Sequence, residues 1–289
     1  MNAGQDPIAP FRGRLLGLAY RMLGSRADAD DVLQDAYLRI RDAAGIANPE
    51  AYLVTTVTRL CIDRLKSAQV RRETYIGPWL PEPILDAEAM SPHTALELAE
   101  DLSFALMLVL ERLSPPERAA FLLHDIFDVG FAEIAAVLDR SEPSCRQLAS
   151  RARRAVKAHR PATPVPIEQQ GALLASFASA VSNGDVAALM AVLREDAILL
   201  SDGGGFKLTA LNPILGADRI ARYFVGSMRK FAGRGPVLRH QPRMINGALG
   251  VVSYLGDVLD QVLSLHIEGD RIAAIYIVRN PHKLAHLRG

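Results

Sequence analysis

Two all-α units followed by an α+β third unit is the fold class that this 289-residue sequence predicts. Three observations carry the prediction. Apolar residues recur at helical spacing from residue 11 to 72 and again up to 160. Proline-dense stretches, GPWLPEP (77–83) and PATPVP (161–166), interrupt that pattern where a helix cannot continue. Beyond residue 167 two helices give way to short apolar runs separated by turn residues. The boundaries that follow are a first helical unit at 1–72, a linker at 73–92, a second helical unit at 93–160, a linker at 161–166 and a third unit at 167–289.

In the first unit Phe11, Leu15, Leu18 and Met22 share one helical face, and Val32, Leu33, Ala36, Tyr37 and Ile40 share a second. Ser25 with Asp28 has capping-box spacing, and Asn48-Pro49-Glu50 starts a third helix bearing Leu53, Val57, Leu60 and Leu65. The second unit opens with a helix at about 94–112. Ser114-Pro115-Pro116-Glu117 then caps another. A short apolar helix, FAEIAAVL, leads through a turn at 139–141 into a long helix from Glu142 to Ala158. Short helix, tight turn and longer basic helix is the helix-turn-helix pattern.

The third unit begins with helices marked by Leu174, Phe177 and Val181, then by Asp185 as a cap ahead of Val186, Leu189, Met190 and Leu193. AILLS and KLTAL, on either side of the loop DGGG (202–205), read as strands. Asp218 reads as the cap of a helix carrying Ile220, Tyr223, Phe224 and Met228. Runs near 237–246, 249–255, 257–267 and 271–278 read as antiparallel strands, with Glu268-Gly269-Asp270 turning the last hairpin. The result is a cone-like α+β fold.

Composition narrows the function classes. Hydrophobic residues at 49%, charged at 22% and aromatic at 6% describe an Ala- and Leu-rich globular protein, which excludes global disorder. No apolar run approaches the roughly 18 residues of a membrane span, and the first residues lack the apolar core of a signal peptide, so the sequence reads as cytoplasmic with no membrane partner. Cys61 and Cys145 stand far apart with no metal-ligand spacing around either, so both read as buried thiols and no metal or cofactor is expected. The net charge of +1 hides a local concentration. Between 140 and 160, seven basic residues face one acid, Glu142.

On that helix Cys145, Leu148, Ala149, Ala152 and Val156 form the inward stripe. Ser144, Gln147, Arg151 and Arg154 lie on one outward face, with Arg146, Ser150, Arg153 and Lys157 beside it. Ser144, Arg146, Gln147 and Ser150, near the helix start, are placed to reach base edges, and the later basic residues to hold phosphates. A solvated charged face is the alternative reading. The acidic helix carries Asp28, Asp30, Asp31, Gln34 and Asp35, which suits a solvated or partner-facing surface better than catalysis. DGGG lacks the spacing of a phosphate-binding loop and reads as a strand-end turn or a close backbone approach.

These residues resemble a known family. FRGRLLGLAYRMLGSRADADDVLQDAYLRI (11–40) resembles conserved region 2 of extracytoplasmic-function (ECF) sigma factors, and residues 93–160 resemble their region 4. WLPEP (79–83), DGGG and NPHKL (280–284), with TRLCIDRL (58–65), resemble the subgroup bearing a SnoaL-like, nuclear transport factor 2-like C-terminal domain. Two positions depart from that pattern: Phe206 separates DGGG from Lys207, and His282 stands where Asp is usual.

The resemblance implies a sigma factor whose partners are core RNA polymerase and promoter DNA. Asp31, Gln34 and Asp35 would dock core polymerase. Arg59, Arg64, Lys66, Arg71 and Arg72 would hold the −10 element as single strand. Ser144, Arg146, Gln147, Ser150, Arg151, Arg153, Arg154 and Lys157 would read the −35 duplex. Trp79, Leu80, Pro81, Glu82 and Pro83 would meet Asp202, Gly203, Gly204, Gly205, Asn280, Pro281, Lys283 and Leu284 in a regulatory contact. An alternative remains: a regulator whose third unit senses an unknown small ligand or keeps isomerase- or cyclase-type activity, with Asp202, Tyr223, His240, Tyr254, Asp257 and His266 as cone-lining candidates.

Overall fold

In the computed structural model the chain divides into two compact units, Met1–Thr74 with Glu88–Arg160, and Tyr75–Ala87 with Pro161–Gly289. The structure describes residues 6–85, 102–157, 165–231 and 238–287; the linker residues 86–92 and 161–164 and the expected helix at 94–101 lie outside them.

In the first unit α1 (Arg12–Leu23), α2 (Arg26–Asp42) and α3 (Pro49–Glu73) form a bundle. The caps foreseen in the sequence are present: Asp28 N donates to Ser25 Oγ (3.1 Å) and Ala51 N to Asn48 Oδ1 (3.1 Å). Such a cap is worth about 1 kcal/mol. α4 (Phe104–Glu111) precedes α5 (Pro115–Phe121), whose Ser114 N and Oγ both donate to Glu117. A π-turn (Leu122–Ile126) follows, then α6 (Phe131–Leu138) and α7 (Glu142–Lys157). The chain turns between α6 and α7 through Asp139 at φ 53°, left-handed backbone that Asp tolerates better than most residues. Cys61 and Cys145 are both buried, and burial raises both thiol pKa values.

Arginines join the two helical subdomains at helix ends. Arg118 of α5, 2% exposed, donates to the Met22 carbonyl in the last turn of α1 and pairs with Glu111 at 3.1 Å. Burial pulls its pKa down to about 10, still well above neutrality, so it stays charged. Arg14 of α1 donates to Phe127 O at 2.7 Å. Arg59 of α3 donates to Val137 O (3.0 Å) and Ala136 O (2.9 Å) at the end of α6.

The second unit packs α8 (Ile167–Asn183), α9 (Val186–Val192) and α10 (Ala217–Phe231) on a six-stranded sheet of order β2-β1-β6-β5-β4-β3. The strands are β1 (Leu193–Asp202), β2 (Ile214–Leu215), β3 (Leu238–Ile245), β4 (Ala248–Leu255), β5 (Val258–Glu268) and β6 (Arg271–Val278). β1 and β6 run parallel and the other pairs antiparallel. Leu174, Phe177, Leu189, Ile220, Leu265 and Ile275 belong to the core between helices and sheet.

Two expectations are corrected here. KLTAL (207–211) is loop, in which Lys207 Nζ pairs with Asp260 and Leu208 O accepts from Arg279 Nη1; the short strand lies later, at Ile214–Leu215. Asp218 sits inside the first turn of α10, paired with Arg222 at 2.9 Å, and Gly216 at φ 91° makes the turn into the helix.

Removing Arg118 takes a buried cation from two partners at once. Arg118→Met is expected to cost the first unit about 3 kcal/mol, read as an earlier urea midpoint in circular dichroism.

Candidate functional site

Asp202, the last residue of β1, is fully buried, and its carboxylate is engaged by three donors. Tyr75 Oη donates to Oδ1 at 2.6 Å, while Leu80 N (2.8 Å) and Lys283 Nζ (2.7 Å) donate to Oδ2. Its backbone carbonyl accepts from Arg279 N (2.7 Å) and Asn280 N (3.0 Å). One residue thus joins the 75–85 segment, the end of the first strand and the NPHKL turn.

Lys283 closes the arrangement from the other side. Its ammonium also donates to the Leu80 carbonyl and lies 4.1 Å from the Trp79 ring centroid and 5.1 Å from that of Tyr75. A partly desolvated cation–π contact adds about 0.5–2 kcal/mol to the ion pair. Asn280 Nδ2 donates to Tyr75 Oη at 2.8 Å, so that hydroxyl is both donor and acceptor. Burial and the Asp202 carboxylate raise the Tyr75 pKa.

The glycines let these groups approach. Gly204 has φ 59°, and a Cβ there would fall on the Asn280 amide; a Cβ on Gly203 would fall on the Lys207 carbonyl. DGGG is therefore a close-approach loop, the second of the two readings open in the sequence. Lys207 pairs with buried Asp260 at 3.2 Å, and Arg279 pairs with the same carboxylate at 2.9 Å. The two departures from the family pattern meet: the Phe206 and His282 rings pack edge-on with centroids 4.6 Å apart.

Further along, Leu80, Pro81, Glu82, Pro83 and Ile84 are all buried. Ile84 N donates to Asn246 Oδ1, and Asn246 N donates back to Ile84 O, each at 2.9 Å. Leu85 bridges Ile245 as a short antiparallel extension of edge strand β3. His286 Nε2 donates to Pro83 O at 2.9 Å. Leu284 is fully buried and Pro281 half-buried, and of the residues named from sequence Trp79, Leu80, Asp202, Gly204, Asn280 and Lys283 are brought together by the contacts above. Tyr75, Asn246 and His286 were missed. Asn246-Gly247 is a two-residue hairpin signal with φ 50° and 78°, and it was the cue available for one of them.

In the first unit α7 buries Cys145, Ala149, Ala152 and Val156 and exposes Arg146, Gln147, Ser150, Arg151, Arg153, Arg154 and Lys157, with Ser144 half-buried. Arg146 pairs with Glu142 at 3.0 Å and stacks on Phe131; Arg153 pairs with Asp125 at 2.6 Å. On α2, Asp31 and Gln34 are exposed and Asp35 is half-buried. Arg64, expected at the single strand, lies in this structure beside that acidic face, within 3.2 Å of Asp28, 3.4 Å of Asp31 and 3.3 Å of Asp35. Three carboxylates at helical spacing hold it there. Lys66 pairs with Asp63 on the surface at 3.0 Å. Arg71 and Arg72 belong to α3, and their side chains lie outside the described residues.

The cone-lining candidates have individual surroundings. Asp202 is occupied by the linker, and Asp257 lies in the exposed β4–β5 turn. His240 pairs across to Ser253, whereas Tyr254 sits opposite Arg239 on the other face of the ladder. His266 contacts Glu268 at 3.3 Å, and burial lowers its pKa. Tyr223 packs edge-on against Phe224.

A helix-turn-helix with an outward basic helix, a helical bundle with an acidic face and a docked linker together define the class of RNA polymerase initiation subunits. Residues 8–71 match the family Sigma-70 region 2, and residues 103–156 match Sigma-70, region 4. The ECF RNA polymerase sigma factor SigJ of Mycobacterium tuberculosis is 39% identical over 288 residues, covering 94% of this chain and 90% of that protein. The probable ECF RNA polymerase sigma factor SigI of the same species is 32% identical, covering 98% and 97%. The crystal structure of SigJ superposes with a TM-score of 0.75 at 34% identity, covering 96% of this chain and 98% of that one. The chain belongs to the ECF RNA polymerase sigma factors, and the match to the SigJ structure extends over its second, mixed α/β unit. No described helix is long and apolar enough to cross a membrane.

Trp79 is the chain's one tryptophan, so its emission reports linker docking. Lys283→Met leaves the buried Asp202 carboxylate without its cation, and Gly204→Ala forces Asn280 aside. Both are expected to shift Trp79 emission to the red and to expose 75–85 to protease, with about 3 kcal/mol lost in the first case.

Proposed function

We propose that this sigma factor reads the −35 duplex with α7 and the −10 single strand with α3, and that the SnoaL-like domain sets its activity by holding the linker. The observation that carries the regulatory part is Asp202, a fully buried carboxylate whose donors come from the linker and the C-terminal turn. A side chain committed to three donors is not poised as a general base. The third domain therefore acts as a holder of the linker rather than as a catalyst.

Geometry supplies the reason for regulation. Elements about 25 base pairs apart lie about 85 Å apart on B-form DNA. Once released, the stretch from Tyr75 to Leu85 can span at most about 36 Å between the two DNA-reading subdomains. Docked and released linkers are thus two states of different span, and the strength of docking sets their balance.

Within the subdomains Arg146 and Gln147 read bases, Ser144 and Ser150 lie beside them, and Arg151, Arg153, Arg154 and Lys157 hold phosphates. Arg59, Lys66, Arg71 and Arg72 track the single strand. Asp31, Gln34 and Asp35 dock core polymerase, with Arg64 as the cation that orders their face rather than a DNA contact.

In transcription assays with core polymerase, Trp79→Ala and removal of residues 280–289 are expected to enlarge the free protein in small-angle scattering and to raise promoter binding. Unchanged dimensions and unchanged transcription in both would refute the linker mechanism. Arg146→Ala and Gln147→Ala are each expected to alter base preference at particular −35 positions by about 1–3 kcal/mol, whereas Lys157→Ala weakens all sequences alike. Asp31→Arg with Asp35→Arg is expected to abolish co-purification with core polymerase while helix content is kept.

A further inference from the structure

The first unit carries a second device. A cleft of about 530 Å³ opens between α3 and α6, with Arg39, Tyr52, Thr55 and Arg59 on one wall and Glu133 and Ala136 on the other. The first wall has the composition of a single-strand site: two guanidinium groups for phosphates and an aromatic ring for a base. The second wall belongs to region 4.

The last carbonyls of a helix have no partner within it and carry the negative end of its dipole. At the end of α6, Asp139 N and Arg140 N both turn back to Ala135 O. Ala136 O and Val137 O accept instead from Arg59 across the subdomain boundary. Two partly negative oxygens held by one guanidinium are what a DNA phosphate also offers. The same bond type recurs in the opposite direction, where Arg118 of region 4 holds Met22 O at the end of α1. Arg14 completes the set on Phe127 O.

We propose that Arg59 is a shared cation, held by the α6 carbonyls in the free chain and by promoter phosphate in the open complex, so that region 4 masks the single-strand face of region 2. Glu133 in the same cleft adds a negative charge against phosphate entry while the clasp is shut. With regions 2 and 4 in contact the two promoter elements, about 85 Å apart, cannot both be read, so opening the clasp is part of promoter engagement. This rests on the assignment of Arg59 to the single strand made above.

The test separates masking from ordinary charge. Arg118→Met and Arg14→Gln each loosen the clasp outside the cleft and each remove a positive charge. Binding of the full chain to a fluorescent single-stranded DNA of about twelve mixed-sequence nucleotides is measured by anisotropy, with circular dichroism verifying helix content. Both variants are expected to bind about fivefold tighter, against the sign of the charge change. Adding Arg59→Ala to Arg14→Gln is expected to lose about tenfold. If Arg14→Gln keeps its helix content and binds no tighter, the mask is overturned whatever Arg118→Met does. If it binds tighter and Arg59→Ala then costs nothing, Arg59 is not a strand contact; the shared-cation proposal falls together with that assignment, while the −35 and linker readings stand.

Discussion

A carboxylate buried without a cation costs several kcal/mol, and that penalty organises the second unit. Asp202 lies at the end of β1 with no exposure, so the fold is complete only when donors reach it. The C-terminal turn supplies Lys283 and the linker supplies Tyr75 and Leu80 to the carboxylate, while Arg279 and Asn280, just beyond β6, bond its backbone carbonyl. A segment that reads as a spacer in the sequence is therefore part of a domain whose helices begin some eighty residues later.

Much of this was legible in the sequence. Capping residues, helical periodicity and the prolines marked the helices, and alternation with turn residues marked the antiparallel strands. WLPEP, DGGG and NPHKL pointed to one another through their resemblance to a family, and in this chain the buried Asp202–Lys283 pair joins the three. What remained hidden depends on long-range partners. The parallel pairing of β1 with β6 leaves no local signature, and KLTAL reads as a strand because alternation cannot reveal that Asp260 draws Lys207 away. Spacing along α3 likewise says nothing of the aspartates that α2 brings beside Arg64.

The helical subdomains meet by a different rule. Helix C-termini present unpaired carbonyls, and arginine is suited to them because its planar donors satisfy two oxygens at once, as Arg59 does. A contact built from such groups is polar. The linker site instead encloses a run of five buried residues, Leu80 to Ile84, around a buried charge. The molecule thus holds one contact by arginines on helix-end carbonyls and another around a buried carboxylate.

The linker and the lysine that completes its site, Leu80 and Lys283, are 203 residues apart. At a synthesis rate of about 5–20 residues per second, roughly 10–40 s pass between the appearance of one and the other on the ribosome. During that interval both DNA-reading subdomains are already synthesised, and the surface that will bury WLPEP is not. The contact between Leu80 and Lys283 is consequently made only after both helical subdomains have been synthesised.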